Sequence, residues 1–100
     1  MALNVLDLII AIEKRPEMYI SHLSINCLRV YLDGYSAALG EKEASEFTRP
    51  LKEFREWIAQ KHGISSNQSW DRIVLFYSAN EARALDDFFI LFNEFMNGNE

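Results

Sequence analysis

The sequence predicts an all-α fold, a compact bundle of about five helices in a single domain that spans residues 1–100. Four of the five segments between polar breaks place apolar residues three or four positions apart, whereas strict alternation of apolar and polar residues is rare. Hydrophobic residues make up 49% of the chain, which has only four glycines and two prolines. This composition excludes a disordered or fibrous chain, and the length suits one domain.

The first third of the chain predicts two helices. The first begins at Asn4 and ends before Pro16, because proline stops a helix. The second follows Ser24, a favourable N-cap residue, and ends at Gly40. The apolar faces consist of Val5, Leu8, Ile9 and Ile12 in the first helix and of Leu28, Tyr31, Leu32, Tyr35, Ala38 and Leu39 in the second.

The middle of the chain predicts a third helix, a loop and a fourth segment. The third helix has Thr48 as its N-cap and Pro50 in its first turn, and it ends at Gly63. The polar stretch 64–69 predicts a loop, whose last residue caps the segment 70–78. Five consecutive apolar residues in that segment favour a helix and leave a buried strand as the alternative. The apolar face of the third helix consists of Phe47, Leu51, Phe54 and Ile58.

The last segment carries the widest apolar stripe and predicts a long C-terminal helix. It is bounded by Ser78 or Asn80 on one side and by Gly98 on the other. Aromatic residues at helical spacing are typical of a core, whereas Trp57 and Trp70 each adjoin a polar stretch and suit either partial burial or a binding surface. The stripe consists of Ala82, Leu85, Phe88, Phe89, Phe92, Phe95 and Met96.

Charge and cysteine content narrow the partners and the compartment. Fifteen acidic and ten basic residues give a formal net charge of −5, which disfavours nucleic acid and suits a basic protein. No apolar run approaches the roughly 20 residues that span a bilayer, and we interpret the N-terminal segment as mature protein. The single cysteine, Cys27, favours a reducing compartment, so we expect a cytoplasmic protein.

The sequence contains no pattern typical of catalysis or of a metal centre. His22, Cys27 and His62 are scattered, whereas metal ligands usually lie close in sequence. Asp86 and Asp87 are adjacent, but neighbours on a helix point about 100° apart and do not share one proton. We therefore predict no catalytic residue, no metal and no cofactor, and an enzyme whose site converges from distant positions is the less favoured alternative.

The stretch AIEKRPEMYI resembles the RKRPGMYIG stretch of gyrase B-type ATPases over about ten residues. In that family the following helix carries a catalytic glutamate and a magnesium-binding asparagine. The matching segment here, LRVYLDGYSAAL, has neither residue, and the family's glycine-rich lid is also missing from the sequence. We therefore interpret Lys14, Arg15 and Pro16 structurally, as basic residues at a helix C-terminus followed by a proline stop.

The whole chain resembles small bacterial immunity-type proteins that are encoded beside polymorphic toxins. The resemblance rests on RPEMYI, on the DGY of Asp33, Gly34 and Tyr35, and on SWDRIVLFYS followed by an acidic helix. It implies a cytosolic antidote that binds and neutralises a toxin delivered by neighbouring cells, as in contact-dependent growth inhibition. A nuclease is the type of toxin that an acidic inhibitor fits, because carboxylates can occupy a cationic groove made for phosphate.

The partner-binding residues are expected in the last segment, where four acids are offset only by Arg83. In the middle of the chain lysines and arginines interleave with the acids, which favours pairing on a solvated face. The alternative class is a small helical regulatory or scaffold module whose acidic surface maintains solubility. The predicted binding residues are Glu81, Asp86, Asp87 and Glu94, with Asp33 and Trp70 as secondary candidates.

Overall fold

The computed structural model describes residues 4–98, which form five α-helices and one short 3-10 helix. The helices are α1 (Val5–Lys14), α2 (Ile25–Ala37), α3 (Glu41–His62), α4 (Trp70–Tyr77) and α5 (Glu81–Gly98), and the 3-10 helix is Pro16–Met18. No strand occurs among these residues, so the all-α prediction is confirmed and the ambiguous segment is helical. The radius of gyration, 13.1 Å, is that of a compact domain of this length.

Short polar side chains begin three of the helices at the expected places. The Asn4 side chain accepts a hydrogen bond from the backbone N–H of Asp7 at 2.8 Å, and the Ser24 hydroxyl accepts one from Cys27 at 3.1 Å. At α5 the side chain of Asn80 accepts from Arg83 at 3.0 Å, which selects Asn80 over Ser78. These bonds satisfy backbone donors that have no partner within the helix.

The start of α3 differs from the prediction. Thr48 is not an N-cap, because the helix begins at Glu41 with Gly40 at the N-cap position, and the Thr48 hydroxyl donates to the carbonyl of Ala44 at 3.1 Å. Pro50 therefore lies inside the helix, where it lacks the N–H that would bond to the previous turn. Acidic residues in the first turn, which favour a helix N-terminus, extend α3 before the proline.

The core is built on phenylalanine rings where α3 meets α5. Phe54 is fully buried, and its ring lies edge to face with Phe88, Phe92 and Phe95 at centroid distances of 5.5, 5.3 and 5.7 Å. Aromatic pairs prefer this geometry, and full burial of each ring stabilises the fold by roughly 1.5–3 kcal/mol. Helices α1, α2 and α4 add aliphatic residues to the same cluster.

Most of the predicted core positions are buried, with corrections at the helix ends. On α5 Ala82 and Met96 are exposed, whereas Ala84 is buried in place of Ala82. On α2 Ala38, which lies at the C-cap, is exposed. Within residues 4–98 no helix is long and apolar enough to cross a membrane.

We predict that Phe88→Ala lowers the free energy of unfolding by about 3–5 kcal/mol, because it leaves a cavity in the centre of the core. Phe76→Ala is the matched control, since that ring is 78% exposed and its loss should cost less than about 1 kcal/mol. Urea denaturation followed by circular dichroism measures both values. A loss below about 1 kcal/mol for Phe88→Ala would show that the core lies elsewhere.

Two glycines should respond in opposite directions to replacement by alanine. Gly63 ends α3 with φ 67°, a left-handed conformation that costs an L-residue roughly 1–2 kcal/mol, so Gly63→Ala should destabilise the fold. Gly34 lies inside α2 with nothing within 4 Å of a built Cβ, so Gly34→Ala should stabilise it by about 0.5–1 kcal/mol. Thermal melting of the two variants checks the signs, and the same sign for both would contradict the prediction.

Candidate functional site

Three of the predicted carboxylates lie together on the outward face of α5. Asp87 and Glu94 are seven residues apart, which places them on one stripe two turns apart, and Asp86 adjoins it. Ile90 lies one turn from all three and is 61% exposed. We call the surface formed by Asp86, Asp87, Ile90 and Glu94 the α5 face.

The cations near the α5 face hold its carboxylates only weakly. Arg83 Nη1 lies 3.8 Å from Asp86 Oδ2, and Lys61 Nζ lies 3.3 Å from Glu94 Oε1. Asp87 makes no ion pair with any residue between 4 and 98. Ion pairs between exposed side chains are worth about 0–1 kcal/mol, so a partner cation can replace Arg83 or Lys61 at little cost.

Glu81 does not belong to the α5 face. It is the first residue of α5 and is exposed, but five residues separate it from Asp86, which corresponds to about 140° around the helix. An acidic residue in the first turn favours the positive end of the helix dipole. Its position therefore has a structural explanation that needs no partner.

Asp33 and Trp70 line a second surface, a groove of about 500 Å³ between α2, α3 and the loop before α4. Asp33 is exposed and pairs with Arg29, one turn earlier on α2, at 3.2 Å. Trp70 is only 8% exposed, and its indole packs on Phe88 at a centroid distance of 4.9 Å. The indole therefore belongs mainly to the core, and little of it is left for contact with a partner.

The acidic residues in the middle of the chain lie on α3. Glu41 and Glu43 lie in its first turn, and Glu46 follows them along the helix. No i to i+4 ion pair forms within the described length of α3, and Arg55 pairs with its neighbour Glu56 instead. These acids therefore lie on an exposed helical surface that differs from the α5 face in carrying interleaved cations.

Arg29 also pairs with a buried carboxylate and so links α2 to α4. Asp71 is 6% exposed, and its Oδ1 lies 3.5 Å from Arg29 Nη1 in an ion pair that lacks hydrogen-bond geometry. Asp71 lies in the first turn of α4, where the helix dipole also favours a negative charge. A buried charge without a partner is costly, so Arg29 holds the start of α4 in place.

The loop between α3 and α4 is fastened by Arg55. Its Nε donates a hydrogen bond to the carbonyl of Gln68 at 2.8 Å, and its Nη2 donates to the carbonyl of Ser66. The side chain is only 19% exposed. The loop residues between Gly63 and Trp70 are thereby held in one arrangement against α3, although the sequence alone suggests an unconstrained polar loop.

The sequence did not predict an exposed apolar surface on α4. Phe76 is 78% exposed, and Leu75 and Tyr77 are also exposed. They border a groove of about 490 Å³ with Ile64 and Arg72. We call the surface formed by Ile64, Arg72, Leu75, Phe76 and Tyr77 the α4 groove. The helical spacing of α4 could have revealed this surface, because Trp70, Ile73 and Val74 form one face of the helix and Phe76 lies outside it.

The residues that could support catalysis or bind a metal do not come together. No group of three or more histidine, cysteine, aspartate or glutamate side chains comes together within residues 4–98. Cys27 is partly buried on α2, and His62 stacks on Tyr77 at the end of α3. Burial, aided by the neighbouring tyrosines 19 and 35, raises the pKa of Tyr31, which moves this phenol further from service as a base at neutral pH.

No family model matches the chain, and neither a curated protein nor a solved structure matches it. The described residues form an all-α fold whose surface carries the α5 face and the α4 groove.

We predict that Arg29→Met lowers the free energy of unfolding by about 2–3 kcal/mol, because it leaves the buried carboxylate of Asp71 without its cation. Asp33→Asn is the control, since it removes only the exposed pair with the same arginine and should cost less than about 1 kcal/mol. Adding Asp71→Asn to Arg29→Met should recover part of the loss. Equal effects of Arg29→Met and Asp33→Asn in urea denaturation would refute the role assigned to the pair between Arg29 and Asp71.

Proposed function

We propose that this chain is a cytoplasmic immunity protein that binds and neutralises a cognate bacterial toxin through its α5 face. The observation that carries the proposal is the grouping of three carboxylates around the exposed Ile90 on one side of α5. The resemblance of the whole sequence to immunity-type proteins supports the same function.

The arrangement on the α5 face is suited to protein binding. An apolar side chain at the centre of a surface can be fully desolvated by a partner, while charged residues around it choose the partner and its orientation. Ile90 has that central place, and the carboxylates of Asp86, Asp87 and Glu94 surround it. An isolated acidic surface would offer the steering charge without the apolar contact.

The charge of the molecule favours a basic toxin. The formal net charge of −5 attracts a cationic partner over a distance, and the α5 face adds a local concentration of negative charge. A nuclease suits this chemistry, because its substrate groove must be cationic to hold phosphate. Carboxylates seated in that groove would exclude the nucleic acid, so binding and inhibition would be one event.

A regulatory or scaffold module is the second candidate, and the α4 groove is the observation that favours it. The α4 groove shares no residue with the α5 face and carries a cation where the α5 face carries acids. A protein with two unlike surfaces can hold two unlike partners. Toxin neutralisation requires only one of them.

The triple replacement of Asp86, Asp87 and Glu94 by lysine tests the proposal. It should slow association with the cognate toxin by about tenfold or more and reduce the salt dependence of the rate. Stopped-flow fluorescence at two salt concentrations measures both effects, and a toxicity-rescue assay should show lost protection. The fold should be little affected, because Asp86 and Glu94 are exposed, Asp87 is half-buried without an ion pair to any residue from 4 to 98, and exposed charges are worth about 0–1 kcal/mol each.

A control variant separates the location of charge from its amount. Replacement of Glu41, Glu46 and Glu53 on α3 by lysine changes the formal net charge equally, from −5 to +1. If the α5 face is the interface, the α3 variant should associate with the toxin faster than the α5 variant does, and it should still protect in the toxicity-rescue assay. Unchanged association by a folded α5 variant excludes this face, and a slower α3 variant would place the interface on α3.

A further inference from the structure

We propose that the α4 groove is a docking site for an amphipathic helical segment of a partner protein that carries a carboxylate one turn from an apolar side chain. The proposal does not depend on the function assigned to the α5 face. It rests on the ordered aromatic rings of α4 and on the unpaired guanidinium of Arg72 beside them.

The apolar wall of the α4 groove is held in place before any partner arrives. The rings of His62 and Tyr77 stack at a centroid distance of 3.8 Å with an interplanar angle of 3°. Phe76 meets Tyr77 edge to face at 5.0 Å. The groove also reaches the buried Ile73. Because these contacts restrict the rings, binding loses less side-chain entropy than it would with free rings.

The exposure of Phe76 favours a macromolecular partner over a small molecule. Small-molecule sites are concave and bury most of the ligand, so their aromatic walls are largely enclosed. Phe76 is 78% exposed and stands at the edge of the groove. A large apolar ring in this position becomes desolvated only when a broad surface covers it, as in protein interfaces.

Arg72 defines the charge of the partner. It lies one turn before Phe76 on α4, it is exposed, and it makes no ion pair with any residue from 4 to 98. Arg72 lacks an ion pair within these residues although the chain has fifteen acidic and only ten basic residues. A guanidinium binds a carboxylate through two parallel hydrogen bonds, so the complementary group on the partner is an aspartate or glutamate.

A helical partner can match the spacing of the two groups. Side chains four residues apart on a helix lie about 6 Å from each other, and Arg72 and Phe76 have this relation. A partner helix with a leucine and a glutamate at the same spacing can contact both at once. Aromatic rings beside an arginine can also stack on single-stranded nucleic acid. The α4 groove, however, offers phosphate only the cation of Arg72, and the chain has a net charge of −5, so a nucleic-acid partner is disfavoured.

The test uses the whole chain and two synthetic peptides labelled with fluorescein. Each peptide is an amphipathic helix with leucines on one face, and one turn from the central leucine the first carries glutamate and the second lysine. The protein should bind the glutamate peptide about tenfold more tightly in fluorescence anisotropy, which is the effect expected of one charge-assisted contact. Arg72→Glu should reverse this preference, and Phe76→Ser should weaken binding of both peptides.

The controls distinguish the other occupants of the α4 groove. Circular dichroism should show that Arg72→Glu and Phe76→Ser keep the native melting transition, since both side chains are exposed. No binding of either peptide at millimolar concentration, or equal binding that Arg72→Glu leaves unchanged, overturns the proposal. Tighter Phe76-dependent binding of oligouridylate would assign the groove to RNA, and a dimer abolished by Phe76→Ser would assign it to a second copy of the chain. Because the two surfaces are independent, the variant with lysine at positions 86, 87 and 94 should lose toxin binding and still bind the glutamate peptide.

Discussion

The packing of Phe54 against three phenylalanines of α5 is the contact on which the rest of the structure depends. Because Phe88, Phe92 and Phe95 all turn toward Phe54, the rotation of α5 about its own axis is fixed. At about 100° per residue, that rotation leaves Ile90 on the opposite side of the helix. The composition of the α5 face is therefore a consequence of core packing, and a different rotation would bury its carboxylates at high cost.

The same core determines which side of α4 is exposed. An eight-residue helix is too short to be stable alone, so tertiary contacts must hold α4 in place. Trp70 packs on Phe88, and Asp71 pairs with Arg29 from α2, so both contacts act on its first turn. In the last turn Val74 is buried and Tyr77 stacks on His62, whereas Phe76 lies on the side of α4 that faces away from the core. An exposed phenylalanine does not contribute to folding in proportion to its size, which is why its presence in the α4 groove calls for another explanation.

Periodicity and capping signals predicted the helices because both are local properties of the sequence. Ser24, Asn80 and Gly63 each satisfy backbone groups at a helix end, and their side chains or conformations are readable without the fold. The sequence misplaces the start of α3, because proline favours the first turn of a helix and Pro50 therefore indicates a start near Thr48. The acidic first turn and the packing of the helix outweigh the hydrogen bond that proline cannot make.

The two surfaces proposed for binding are harder to predict from the sequence, because they depend on which part of each helix its neighbours cover. An apolar residue such as Ile90 or Phe76 looks like core material in sequence, and only the direction of its neighbours shows it to be exposed. The acids of α5 were found from composition, but their grouping around Ile90 required the helical geometry. Trp70 shows the converse case, since its place beside a polar loop suits either partial burial or a binding surface, and only its contact with Phe88 assigns it to the core.

The two surfaces would place opposite demands on the partners proposed for them. Long-range attraction depends on the total charge, which is negative, so a basic protein approaches the whole molecule readily and can settle on the α5 face. A segment with a carboxylate for Arg72 meets that same negative field and must rely on short-range contacts with Phe76 and Tyr77. The α5 face is therefore suited to fast association that salt weakens. The α4 groove is suited to slower association, in which added salt screens the repulsion and the apolar contacts limit dissociation.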